Sequence, residues 1–129
     1  MDKKIVFEQK TIVDKKTTAK YLGSGTLDVY ATPAMIAFIE NTCMKSVESL
    51  LEPGECTVGT LIDAQHIAAS PVGMEIVCSC ELISRDRKRL TFEATVSDSI
   101  GVIGKARHER FIVDENKFMS KTNEKLNLK

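Results

Sequence analysis

The chain lacks the features that mark several specialised classes of protein. Its 129 residues carry 18 basic and 18 acidic side chains, so no net charge attracts it to nucleic acid or to an anionic membrane. The N-terminal region has no long apolar segment, which argues against a signal peptide or a membrane span. Internal repeats and low-complexity tracts are also missing. We therefore expect a cytoplasmic protein with no nucleic-acid partner and no membrane partner.

Motifs that announce particular chemistries are missing as well. There is no glycine-rich phosphate loop, no serine-hydrolase elbow and no cluster of metal ligands, so we expect neither a metal nor a cofactor. Four cysteines occur, at Cys43, Cys56, Cys78 and Cys80. The spacing of the last two does not match a zinc knuckle or a redox motif, and both point the same way in a strand. We expect reduced, partly buried thiols.

The composition is that of an ordinary globular domain, with 43% apolar and 28% charged residues. The length predicts a single domain over residues 1–129. A helix is predicted over 32–51, because Thr32 suits the N-cap, Pro33 suits the first helical position and Pro53 cannot continue the helix. Alternating patterns predict a strand before this helix and four after it, at 4–13, 57–69, 74–84, 90–97 and 102–113.

This order of elements predicts an α+β protein. The four later strands are joined by short connections, so we expect them to form an antiparallel meander. The single long helix must bury its apolar side, and it can do so against the concave face of the sheet. That arrangement is the hotdog fold. The exposed sheet edges that remain favour a homodimer.

Glu40 is the most informative residue in the predicted helix. Helical spacing places it in one stripe with the apolar residues Ile36, Cys43 and Val47, which we expect to face the sheet. Burial of an unpaired carboxylate costs several kcal/mol, so Glu40 needs a partner or a function. The candidate partners are Thr32, at the start of the helix, and His66, on the strand that follows it.

These three residues suit the hydrolysis of a thioester. Glu40 can attack directly or activate water, His66 can transfer protons, and Thr32 can donate a hydrogen bond beside the helix N-terminus. Each also has a structural interpretation, as a hydrogen-bonded glutamate, a core histidine and an N-cap. Thr32 and Glu40 lie roughly 12 Å apart along the helix axis, so direct contact within one chain is not expected.

Several segments together resemble one family of hotdog proteins, the fluoroacetyl-CoA thioesterases. They are Val29-Tyr30-Ala31-Thr32-Pro33, Glu40, Leu51-Glu52-Pro53-Gly54-Glu55, Gly59-Thr60, the stretch from Gln65 to Gly73 around His66, and His108-Glu109-Arg110. The likeness covers residues 5 to 118. It implies an acyl-CoA thioesterase in which Thr32, Glu40 and His66 are catalytic. It further implies that Gly59 lies beside the acyl group and Arg110 near the site, in a homodimer that binds acyl-CoA at the subunit interface.

One stretch departs from the family pattern. The fluoroacetyl-CoA enzyme carries phenylalanines in a lid before the helix, whereas residues 21–28 here have none. The resemblance therefore implies a thioesterase for some small acyl-CoA rather than one specific for fluoroacetyl-CoA. A non-catalytic acyl-CoA-binding protein is the alternative. A hydratase is a third hypothesis, although hotdog hydratases typically place their histidine before or on the central helix.

A basic cluster follows the third predicted strand. It consists of Arg85, Arg87, Lys88 and Arg89. Arginine side chains match the geometry of phosphate oxygens, so this cluster is a candidate for holding the phosphates of coenzyme A. A solvated turn is the alternative interpretation.

Overall fold

The computed structural model describes residues 4–128, so residues 1–3 and 129 of the predicted domain lie outside it. Within the described range, no helix is both long and apolar enough to cross a membrane. Two 3-10 turns, Lys15–Thr17 and Glu48–Leu50, flank the region of the long helix. In chain order the elements are β1 (Ile5–Ile12), α1 (Ala19–Leu22), α2 (Thr32–Ser46), β2 (Glu55–His66), β3 (Glu75–Asp86), β4 (Arg89–Ser97), β5 (Val102–Asp114) and α3 (Glu115–Asn123).

The five strands form one antiparallel sheet in the order β1-β3-β4-β5-β2. The predicted four-stranded meander is therefore wrong for its first strand, since β2 pairs with β5 and not with β3. The reason is the length of the connections. Two residues join β3 to β4 and four join β4 to β5, whereas the eight residues 67–74 separate β2 from β3. Tight hairpins need connections of about two to five residues, so β2 is free to cross to the far edge.

Helix α2 lies across the sheet. Its buried stripe differs from the predicted one in the first half of the helix, where it lies one residue earlier. Met35, Ile39, Cys43 and Val47 are fully buried at intervals of four residues. Ile36 and Glu40 are only half-buried. The prediction was right for Cys43 and Val47 but wrong for Ile36 and Glu40, which flank the core. The helix also ends at Ser46, before the predicted end, and the chain continues in the 3-10 turn.

A bulge in β2 decides which side chains of this strand face the helix. The pairing of β2 with β5 shifts between Gly59 and Leu61, so the side chains change faces there. Before the bulge, Thr57 and Gly59 lie opposite the buried Ile112 and Arg110. After it, Ile62, Ala64 and His66 lie on that same inner face, opposite His108, Ala106 and Gly104. Strict alternation along the predicted strand 57–69 would put Val58 and Thr60 on one face with His66, and the bulge shows this expectation to be wrong.

The four cysteine thiols are free. Cys43, Cys78 and Cys80 are buried, and Cys56 is half-buried. Cys78 and Cys80 point to the same inner face of β3, as their spacing predicts. Cys43, Cys78 and Cys80 therefore serve as core residues between α2 and the sheet, whereas Cys56 lies outside this core.

Candidate active site

The N-terminus of α2 is built differently from the predicted cap. Ala31 occupies the N-cap position and has no side chain that can accept a hydrogen bond, while Thr32 is the first helical residue. The prediction that Thr32 is the N-cap of this helix was therefore wrong. Because no side chain caps this helix, its first N–H groups and the positive end of its dipole stay available to a ligand.

The Thr32 hydroxyl instead contacts His66. Its Oγ1 lies 2.8 Å from Nδ1 of the imidazole, across 34 residues of sequence. Both side chains line a cavity of about 320 Å³, whose other walls come from the segment before α2 and from residues 67–69. The edge of Tyr30 packs against the imidazole, with 6.2 Å between ring centroids. The fold thus brings two of the three predicted catalytic residues together at an open helix end.

His66 is neutral near pH 7 and has one unsatisfied nitrogen. Burial lowers the pKa of its imidazole below the ordinary value, although the Ala68 backbone opposes part of this shift. Its Nε2 is buried and, within residues 4–128, has no hydrogen-bond partner. A buried polar atom without a partner is rare and marks a candidate functional site. If Thr32 donates to Nδ1, Nε2 carries the proton and can donate a hydrogen bond; in the other tautomer Nε2 is a base, and the imidazolium that it forms can act as an acid.

Glu40 lies in a second group of residues and contacts neither Thr32 nor His66. Among the described residues its carboxylate makes no hydrogen bond and no ion pair within 4 Å. Its Oε2 lies 3.3 Å from the point where a side chain would start at Gly59, and Nη1 of Arg110 lies 3.4 Å from that point. Within one chain Glu40 therefore does not contact Thr32, as their spacing along the helix predicted, and it does not contact the other candidate partner, His66, either. Its neighbours are Gly59 and Arg110, the two predicted substrate-binding residues.

Arg110 is almost fully buried on the inner face of β5 and is held by three hydrogen bonds. Its Nε donates to Thr57 Oγ1 at 2.8 Å and its Nη2 donates to the Thr57 carbonyl at 2.9 Å. Its Nη1 lies 3.2 Å from Nε2 of His108. Neither Thr57 nor His108 was assigned a role from the sequence. Alternation along β5 places His108 and Arg110 on the same face. The bulge in β2 could not be predicted, so the position of Thr57 on the inner face could not be predicted either.

Two surface segments were also candidates for a role in substrate binding. Residues 21–28, the predicted lid, are all exposed and begin with the last two residues of the short helix α1. In the basic cluster, Asp86 pairs with Arg87 and Arg89 at 3.6 Å, and Arg85 donates to the Arg87 carbonyl. These contacts favour the solvated turn over a preformed phosphate site.

Known proteins share both the sequence pattern and the architecture of this chain. The family model for fluoroacetyl-CoA-specific thioesterases matches residues 13–116. The fluoroacetyl-CoA thioesterase of Streptantibioticus cattleyicolor is 35% identical over 98 residues, which make up 76% of this chain and 70% of that protein. A crystal structure of the fluoroacetyl-CoA thioesterase FlK superposes with a TM-score of 0.91 at 30% identity and covers 97% of each chain.

More distant structures show the same fold. A thioesterase superfamily member from Thermus thermophilus has a TM-score of 0.86 at 23% identity, covering 96% of this chain and 94% of that one. A hotdog-like protein from Thermanaerovibrio acidaminovorans reaches 0.85 at 14% identity, covering 93% and 89%. The α+β hotdog fold predicted from the sequence is thereby confirmed. The chain belongs to the fluoroacetyl-CoA-specific thioesterase family of hotdog proteins.

Proposed function

We propose that the protein hydrolyses a small acyl-CoA thioester to the free acid and coenzyme A. The observation that carries this proposal is the hydrogen bond between Thr32 and His66 at the open N-terminus of α2, beside a cavity of about 320 Å³. Membership of the thioesterase family supports it. A variant of FlK has been crystallised with fluoroacetate and CoA, so that relative accommodates both parts of such a substrate.

The reaction adds water across the C–S bond of the thioester. The N–H groups at the start of α2 stabilise the negative charge that develops on the carbonyl oxygen. Glu40 either takes a proton from the attacking water or attacks the carbonyl itself, in which case water releases the acid in a second step. The thiolate of coenzyme A leaves and receives the proton that water gives up. His66, whose orientation is fixed by Thr32, accepts this proton and then transfers it to the sulfur, so that Glu40 and His66 both return to their starting states. Gly59 leaves room for the acyl group beside Glu40.

Two copies of the chain are needed to bring Glu40 to the other two residues. Along β2, Gly59 and His66 are seven residues apart, which is roughly 20 Å in an extended strand. Strand β2 lies at an edge of the sheet and has one side unpaired among the described residues. If it pairs antiparallel with its own copy about an axis near Ile62 and Asp63, Gly59 of one subunit lies opposite the partner's His66. Each site then contains Glu40 from one subunit and Thr32 and His66 from the other.

The lid supports an acyl preference different from that of the fluoroacetyl-CoA enzyme. Its exposed residues 21–28 include no phenylalanine, and their one aromatic side chain, Tyr21, is exposed and does not line the cavity beside Thr32 and His66. We therefore propose that acetyl-CoA and fluoroacetyl-CoA are hydrolysed with similar kcat/KM. The zero net charge and the family's soluble substrate also fit a cytoplasmic location.

A panel of acyl-CoA thioesters tests the activity, with release of free thiol as the readout. The panel runs from acetyl and fluoroacetyl to phenylacetyl and medium-chain groups. Turnover by the native protein that is lost in Glu40→Gln supports the thioesterase. Binding of several thioesters without release of coenzyme A would instead favour the acyl-CoA-binding protein.

Mixing two inactive variants tests the composite site. Glu40→Gln and His66→Ala are co-expressed and their dimers purified together. If each site combines the two subunits, half of the dimers are mixed and one of their two sites is intact, so about a quarter of the native activity returns. If each site lies within one chain, no activity returns.

A further inference from the structure

The strongest feature without an assigned role is the set of three hydrogen bonds that holds the side chain of Arg110. A guanidinium has five N–H donors and cannot lose its charge in a protein, so burial of this side chain to 7% exposure needs partners. Thr57 supplies two of them, one from its hydroxyl and one from its carbonyl, and these fix the plane of the guanidinium. His108 supplies the third. Two N–H donors remain without a partner in the described chain.

The protonation of His108 follows from its two contacts. Its Nδ1 lies 2.7 Å from the carbonyl oxygen of Leu61, which can only accept a hydrogen bond, so Nδ1 carries a proton. Its Nε2 faces Nη1 of Arg110, which can only donate, so Nε2 accepts. Burial, reinforced by the charge on Arg110, lowers the pKa of His108 and keeps it neutral. A protonated imidazole would turn an N–H toward the guanidinium and displace it.

The positive charge that is held in this way faces Glu40. Within residues 4–128 no carboxylate oxygen lies within 4 Å of Arg110. Glu40 is the strongest electrostatic support for that charge and opposes the lowering of the Arg110 pKa by burial. Glu40 and Arg110 flank the same gap above Gly59. Cε1 of His108 also lies 3.3 Å from the position that a Cβ atom would take at Gly59. The two charges are therefore close to one another but do not form an ion pair.

We propose that Thr57 and His108 are positioning residues for the reaction, which fix the Arg110 guanidinium so that its charge faces Glu40 across the gap above Gly59. This inference rests on the thioesterase activity proposed above. A fixed charge here stabilises the negative charge that passes between Glu40 and the thioester carbonyl during the reaction, without reorganisation. A guanidinium free to rotate would pair directly with Glu40 and close the gap.

A pair of substitutions at Thr57 separates positioning from packing. Thr57→Val keeps the shape and removes the hydroxyl that accepts from Nε, whereas Thr57→Ser keeps the hydroxyl. We expect Thr57→Val to lower kcat about 10- to 100-fold while KM changes less than about threefold, because the effect falls on the transition state. Thr57→Ser should retain kcat to within about threefold of native.

Thr91→Val is the matched control, since Thr91 is also a buried threonine in the sheet, at 8% exposure, and has no hydrogen bond to Arg110. It should leave kcat unchanged. Equal losses in Thr57→Val and Thr91→Val would overturn the proposal, as would a rise in KM alone or failure of Thr57→Ser to restore kcat.

His108 is tested by a second pair of variants. A glutamine can present an acceptor to Arg110 and a donor to the Leu61 carbonyl, whereas a leucine of similar size can do neither. We expect His108→Gln to keep more of the native kcat than His108→Leu, by at least about fivefold, in samples whose thermal unfolding shows that both are folded. If His108→Leu does not fold, the Thr57 pair decides the question alone. No hydrolysis of any thioester by the native protein refutes the proposed function, whereas a fully active Thr57→Val refutes only the positioning.

Discussion

Replacing Gly59 with alanine adds one methyl group to the gap between Glu40 and Arg110. The new carbon would lie 3.3 Å from Glu40 Oε2, 3.3 Å from His108 Cε1 and 3.4 Å from Arg110 Nη1. An ordinary contact is about 3.5 Å or longer, so three groups must each move by a few tenths of an ångström. Gly59 does not have a positive φ, so alanine introduces no backbone strain there.

The expected result is a folded protein with a damaged site. Alanine loses less backbone entropy than glycine on folding, by about 0.4–1 kcal/mol, and this offsets much of the crowding. The free energy of unfolding should therefore change by less than about 1 kcal/mol. A misplacement of about 1 Å can reduce the rate 100-fold, so displacements of a few tenths of an ångström should lower kcat/KM for the preferred acyl-CoA about 3- to 10-fold.

Two other glycines calibrate this experiment. At Gly101 no atom lies within 4 Å of an added methyl group, so Gly101→Ala should leave turnover unchanged and raise the free energy of unfolding by about 0.4–1 kcal/mol through the same backbone-entropy effect. At Gly104 the methyl would lie 2.6 Å from the sulfur of Met35 and 3.0 Å from the Gln65 carbonyl, so overpacking should destabilise the fold by about 1–3 kcal/mol. Native kcat/KM in Gly59→Ala would refute the assignment of this gap to the acyl group. A loss of stability like that of Gly104→Ala would show that the methyl disturbs the core instead.

Three further outcomes are expected. Glu40→Gln should lower kcat at least about 100-fold. It should lower the free energy of unfolding only modestly, since Glu40 has no hydrogen bond within the described residues but supports the charge of Arg110; native turnover in an assay of thiol release would contradict the role of Glu40. Thr32→Val should reduce kcat without destabilising α2, because Ala31 is the N-cap, and Thr32→Ser should recover the activity; a lower Tm in the valine variant would indicate a capping role after all. Burial lowers the pKa of both histidines, so the unfolded chain binds more protons than the folded one just below pH 6.5, and stability should fall as the pH drops through that window. Chemical denaturation at several pH values measures this slope, which should become shallower in His108→Gln.

The sequence was sufficient to predict the long helix and the five strands, but not the order of the strands in the sheet. Period-two and period-3.6 patterns located all five strands and the long helix, because each has a buried face that the local composition reveals. The pairing of β2 with β5 joins residues about 50 positions apart, such as Thr57 and Ile112, and leaves no trace in local periodicity. The bulge near Gly59 is equally invisible, yet it moves Thr57 to the inner face and so creates the support for Arg110.

The site residues were found by resemblance more than by physics, and Thr32 shows why. A threonine followed by proline at a helix start normally predicts a cap, and replacing such a cap usually costs about 0.5–2 kcal/mol. Here the chain gives the cap position to Ala31 and directs the threonine hydroxyl to His66, 34 residues away. Local rules of sequence interpretation describe what stabilises an isolated element, so they fail where a side chain serves a site instead. The same conflict recurs at Glu40, a half-buried carboxylate without a hydrogen bond in the described chain, and at His66, whose Nε2 is buried without one. Three such departures at residues implied to act together argue for selection on function rather than for three independent defects of the fold.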